Sequence, residues 1–102
     1  MGKLALILLL GCTAKRFEES KADLARLEVR KLAQEAYPMW SIKHVDKPCP
    51  DSLDELKEFV PSFTGEDPWG TPYRTKCERG LSVDSAGPDK KFDTPDDVHS
   101  RD

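Results

Sequence analysis

Ser85-Ala86-Gly87-Pro88-Asp89-Lys90-Lys91-Phe92-Asp93-Thr94-Pro95-Asp96-Asp97-Val98 places four carboxylates within nine residues of a loop punctuated by Gly and Pro. That density of oxygen suits a hard divalent cation. Calcium takes roughly six to eight oxygens, drawn from Asp side chains and from backbone carbonyls that a tight loop turns inward. Without a cation, Asp89, Asp96 and Asp97 repel one another, and the stretch has almost no apolar side chain of its own to hold it closed. A solvated acidic tail that binds nothing is the competing reading. An EF-hand is excluded, because Lys91 falls at position three of its loop, where a ligand is needed, and no Glu stands at position twelve.

Working back from this loop, Leu81 and Val83 alternate with Ser82 and Asp84, as in a strand with one covered face. Tyr73–Glu78 and Leu81–Ser85 flank Arg79-Gly80, a two-residue turn signal for a hairpin. A short third strand is expected around Val98. Before the hairpin, the segment 61–72 is rich in Pro and Gly and reads as loop, with Trp69 packed over the sheet end as an apolar lid. Asp51-Ser52-Leu53-Asp54-Glu55-Leu56 carries a helix-start signature, Ser52 and Glu55 forming a capping box. Leu53, Leu56, Phe59 and Val60 then supply a buried face. From Ala14 to Tyr37 there is no Gly or Pro, and Ala22, Ala25, Val29, Leu32, Ala33 and Ala36 fall on one helical stripe. Pro38 is expected to stop or kink that helix near Tyr37. Phe17, Leu24 and Leu27 lie on its opposite face, facing a partner, a membrane surface or the domain's own loops. The fold class is α+β: a long N-terminal helix packed on a small antiparallel β-sheet.

The block Asp67-Pro68-Trp69-Gly70-Thr71-Pro72-Tyr73-Arg74, taken with residues 85–98, resembles the C-terminal domain of the G-type (major) pseudopilins of type II secretion. In that family a DPWG-x-P-Y loop precedes a small antiparallel sheet, and a GPDG-x-x-G-T-x-DD loop binds calcium. The resemblance runs from about Lys15 to Val98, with its specific part in residues 67–98. It implies a pilin-like fold and a calcium ion held by Asp89, Asp96 and Asp97, with the backbone carbonyls of Ala86 and Phe92 as further ligands. Lys90 and Asp93 stand where the family pattern has glycine. Asp enters the left-handed backbone region at small cost and Lys less readily, so the loop is expected to be either strained or slightly rebuilt around Lys90, which bears on calcium affinity more than on the fold.

The other end of the chain bears on the compartment. Met1-Gly2-Lys3 is positively charged, Leu4 to Leu10 is unbroken apolar sequence, and Leu9-Leu10-Gly11-Cys12 follows. This layout resembles a bacterial lipoprotein signal in which Cys12 is lipidated and becomes the new N-terminus. The run is too short for a membrane span, which needs about 20 apolar residues. The expected organisation is a signal peptide over 1–11, a tether over 12–20 and a pseudopilin-like globular domain over 21–102. By family analogy, Thr13 in place of an Asp after the lipidated cysteine favours the outer membrane over inner-membrane retention. Here the pseudopilin pattern breaks: no basic leader ends in Gly ahead of a long apolar helix with an early Glu.

Of the three cysteines, setting Cys12 aside leaves Cys49 and Cys77, an even pair suited to a disulfide in an oxidising periplasm. Two unpaired buried thiols are the alternative. Neither has a CxxC partner or a nearby His, which argues against zinc and redox chemistry. The formal net charge is −3, and −4 once residues 1–11 with Lys3 are removed. Such a balance offers nucleic acid no basic face. His44 and His99 lack a nucleophile nearby in sequence, and Ser82, Ser85 and Ser100 lack the strand-turn-helix setting of a nucleophile elbow. Neither an enzyme nor a small-molecule substrate is expected. The leading expectation is a lipid-anchored, periplasm-facing interaction module of a bacterial cell envelope. Its partners would be the membrane, through Cys12, and proteins of a secretion or pilus-type machine. The alternative is a minor pseudopilin whose true start lies upstream of Met1. A calcium-activated enzyme is a third option, for which no motif supplies the catalytic groups.

Overall fold

The computed structural model describes residues 2–102, with side chains from Arg16 onward. A single helical rod opens the chain: α1 (Gly2–Arg30) runs into a π-helical stretch (Lys31–Ala36) and then α2 (Tyr37–Lys43). Of the stop or kink expected at Pro38, the stop does not occur: helix continues to Lys43. Pro38 lacks an N–H, and its ring would strike the carbonyl four residues back in a regular α-helix. The backbone avoids that conflict by widening just ahead of it, so that the Tyr37 N–H donates to the Leu32 carbonyl, five residues back. Helical geometry then resumes, and it carries Trp40 into the interior.

One stripe of this rod is dry. Ala25, Val29, Leu32, Ala36 and Trp40 are fully or almost fully buried, at helical spacings of three and four residues. Opposite them lie Leu56, Val60 and Phe63 from the central segment, Tyr73 just ahead of the sheet, and Leu81 and Val83 within it. The sheet is antiparallel, in the order β1 (Arg74–Cys77), β2 (Leu81–Ser85), β3 (Val98–His99). In β2 the alternation expected from sequence holds, with Leu81, Val83 and Ser85 inward. Cys77 stands opposite Leu81, so the hairpin connection is the three residues Glu78-Arg79-Gly80 rather than two. The Glu78 N–H closes on the Gly80 carbonyl within the turn instead of pairing across it.

The central segment departs most from expectation. The anticipated second helix is a 3-10 turn, Leu53–Leu56, followed by further turns to Phe63. The capping box does not form: the Glu55 carboxylate accepts the backbone N–H of Asp51, and the Ser52 side chain does not cap the turn. That hydrogen bond, opposed by desolvation, holds the Glu55 carboxyl below its ordinary value. Its apolar residues are nevertheless placed as the sequence suggests, Leu56 and Val60 buried and Leu53 and Phe59 packed at the core margin.

Two further ties fix the sheet to the rod. Tyr73 Oη donates to Glu28 Oε1 at 2.5 Å, and Gln34 Nε2 donates to the Ser100 carbonyl at 3.1 Å. Burial first, then the bond to Glu28, pushes the Tyr73 phenol far above its ordinary value. Phe17, Leu24 and Leu27 remain exposed on the other side of α1. Among the described residues, no helix is long and apolar enough to cross a membrane.

Candidate metal loop

The two sequence blocks meet at Asp67, a buried acid whose role the sequence reading did not foresee. Its Oδ1 accepts the backbone N–H groups of Trp69 at 3.0 Å and Thr71 at 2.8 Å, which curls residues 67–71 into a closed turn. Its Oδ2 accepts the Ser85 hydroxyl at 2.7 Å, and Ser85 Oγ in turn accepts the Gly87 N–H at 3.2 Å. A single carboxylate therefore joins the turn before the sheet to the first residues of the acidic loop. An Asp ahead of Pro-Trp-Gly-Thr was the available signal, since Asp side chains cap such turns. Trp69 is buried, and its indole N–H donates to Glu18 Oε2 at 3.1 Å, so it locks onto α1.

Residues 87–97 close on themselves. Gly87 lies so near the Asp96 backbone that a Cβ there would sit 2.2 Å from the Asp96 carbonyl oxygen, and its φ is +82°. Only glycine fits that crossing. Lys90 and Asp93 adopt φ of 60° and 67°, the left-handed region, at the two positions singled out in the sequence. The Asp89 carboxylate accepts the Lys91 N–H at 3.0 Å; that bond first, and Thr94 next, hold its carboxyl below the ordinary value. Asp97 accepts the Asp93 N–H at 2.8 Å through Oδ2 and the Thr94 hydroxyl at 3.4 Å through Oδ1. Its side chain is only 2 % exposed.

Arg74 is the loop's cationic neighbour, another group the sequence reading passed over. Its guanidinium lies 3.1 Å from Asp93, 3.6 Å from Asp84 and 3.9 Å from Asp97, with its central carbon 4.6 Å from the centroid of the Phe92 ring. Desolvation opposes its charge, yet the hydrogen bond to Asp93 and the three carboxylates raise its pKa further. Register explains the placement: Arg74 faces Asp84 across β1–β2, and Asp84 faces His99 across β2–β3. His99 Nδ1 lies 2.8 Å from Asp84 Oδ1.

Of the expected ligands, Asp97 has an almost fully covered side chain, Asp89 is occupied by its own turn at the surface, and Asp96 meets Gly87 through its backbone. Ala86 is buried, and Phe92 turns its ring toward Arg74. Among the described residues, no three His, Cys, Asp or Glu side chains gather as a metal-holding group. The loop's potential ligands are carboxylate and carbonyl oxygens, the hard donor class that calcium takes.

At the far end of the domain, Cys49 and Cys77 form a disulfide, with Cα atoms 6.4 Å apart and 28 residues of separation. It pins the central segment to the end of β1. Cys12, expected to carry lipid, lies among the residues whose side chains fall outside the description. No family model matches the chain, and comparisons with curated proteins and with solved structures find no match.

Proposed function

We propose that the chain is a non-catalytic, lipid-anchored module facing the periplasm, with a pseudopilin-like head stabilised by calcium, accessory to type II secretion or a pilus-type machine. The observation that carries this reading is the loop backbone: Lys90 and Asp93 take left-handed conformations at the two places where the family's calcium loop has glycine. Two non-glycine residues in that region are uncommon and cost energy, so a retained loop shape supports a retained purpose. The Cys49–Cys77 disulfide supports an oxidising compartment outside the cytoplasm. Asp89, Asp96, Asp97 and the carbonyls of Ala86 and Phe92 would hold the ion, which would add structural charge neutralisation and take no part in chemistry.

Calorimetric titration of calcium into chelator-treated protein tests this, together with melting curves. Binding heat and a raised melting temperature are expected; no heat and an unmoved melt would overturn the calcium-stabilised head. The second reading, a minor pseudopilin with a longer N-terminus, is favoured by α1 running unbroken from Gly2 through Cys12. Intact mass of the native protein separates the two, since an acyl group on Cys12 belongs to the lipoprotein reading alone.

A further inference from the structure

We propose that Arg74 is the resident counter-cation of the acidic loop: its guanidinium holds the loop on the sheet when no dication is present, and it sets how tightly a dication binds. Three carboxylates from two segments stand within 4 Å of this one side chain: Asp84 from β2, and Asp93 and Asp97 from the loop. Asp97 is the critical member. Its carboxylate is almost wholly removed from water, and a buried charge without a counter-charge is strongly unfavourable. The neutral donors around it, the Asp93 N–H and the Thr94 hydroxyl, supply hydrogen bonds but no compensating charge. Among the described residues, Arg74 is the cation within 4 Å of it, and His99 feels its charge from further away.

The side chain is also held in place for that task. The guanidinium is planar and lies over the Phe92 ring, an arrangement a lysine ammonium does not reproduce with the same fixed orientation. Arg74 sits in β1, so its backbone is anchored by the sheet and independent of the loop it holds. The carboxylate it neutralises, Asp97, is one of the residues proposed to ligate calcium. A dication entering the loop would meet a like charge about 4 Å from a ligand it needs, and that repulsion lowers its affinity. The proposal's second half thus rests on the calcium reading given above; its first half does not.

The experiment compares the wild-type protein with Arg74→Gln and Arg74→Lys, first in chelator and then during calcium titration. In chelator, Arg74→Gln is expected to melt several degrees below wild type, Arg74→Lys in between, and the difference to narrow in molar salt as the ion pairs are screened. Calcium is expected to bind Arg74→Gln roughly tenfold more tightly than wild type. Equal melting of wild type and Arg74→Gln in chelator overturns the holding role, and equal or weaker calcium binding by Arg74→Gln overturns the affinity role. Should Arg74→Gln fail to fold in chelator, recovery with Arg74→Lys or with added calcium supports the proposal; failure of both substitutions under both conditions points to packing instead and overturns it. Absence of calcium heat from every variant overturns the calcium reading and the affinity role, while the chelator melts still decide whether Arg74 holds the loop.

Discussion

The two ends of the sheet are held by different physics. On its inner face, Leu81 and Val83 press against Val29, Leu32 and Trp40, a contact between apolar groups with no charge among them. At its open end the acidic loop 86–97 is held by an Asp67–Ser85–Gly87 hydrogen-bond chain, a glycine crossing and the ion pairs of Arg74. The first arrangement is indifferent to salt and to metal. The second responds to salt, because accessible charges are screened, and on the calcium reading proposed above it would respond to metal as well. In a small domain with a modest core, burial fixes the fold while polar contacts alone position the loop.

The difference predicts that the largest loss comes from the core. Trp40→Ala should destabilise the domain by about 3–5 kcal/mol, the range for truncating a fully buried aromatic residue, as measured by urea denaturation. Among the described residues, the Trp40 indole N–H finds no acceptor, so Trp40→Phe, which removes that orphan donor and keeps a ring, should cost much less. Salt should leave both values unchanged. A Trp40→Ala loss below about 1 kcal/mol would mean that helix past Pro38 does not pack as described.

This same pair of regions marks what the sequence could and could not tell. The alanine-rich stripe of α1 and the alternation in β2 are periodic, and periodicity survives because each buried position is repeated. Trp40 was invisible for the opposite reason. A proline ahead of it ordinarily ends a helix, and nothing local announces that a π-helical widening at Lys31–Ala36 will absorb the conflict. Likewise the Ser52–Glu55 pattern fits a capping box, but Glu55 found the Asp51 N–H and the nearby Lys47 ammonium instead. In the loop, left-handed backbone at Lys90 and Asp93 was legible only through the resemblance, whose pattern has glycine at those places. Arg74 was not, because its meaning comes from cross-strand register with Asp84 and from a loop 19 residues further on, neither of which has a local signature.

A smaller effect separates the regions by pH. Tyr73 keeps its proton in the folded protein because burial and Glu28 both oppose the phenolate. Its folded pKa lies above that of the unfolded chain, so its contribution is complete below the ordinary value of 10.0 and is lost as pH rises beyond it, where only the unfolded state ionises. Thermal melts should therefore show stability declining above about pH 10, with the Tyr73 share of that decline absent in Tyr73→Phe. At neutral pH that variant should lose about 1–2 kcal/mol through the missing bond to Glu28. An identical alkaline decline in both proteins would remove Tyr73 as its source.

The smallest effect is a gain, and it belongs to the loop. Lys90 holds φ of 60°, where a side chain crowds its own backbone and glycine does not, and Lys90 is exposed. Lys90→Gly should relieve that strain; the greater freedom of glycine in the unfolded chain offsets part of it, leaving a net gain of about 0.5–1 kcal/mol. The gain should survive in molar salt, unlike anything arising from Arg74, because it is conformational in origin. Hydrogen exchange provides the spatial check: protection should rise at the loop amides of Lys91 and Asp93, which donate to Asp89 and Asp97, more than at the amides of Val29 or Leu32. A variant less stable than wild type would show that Lys90 contributes a contact worth more than its strain.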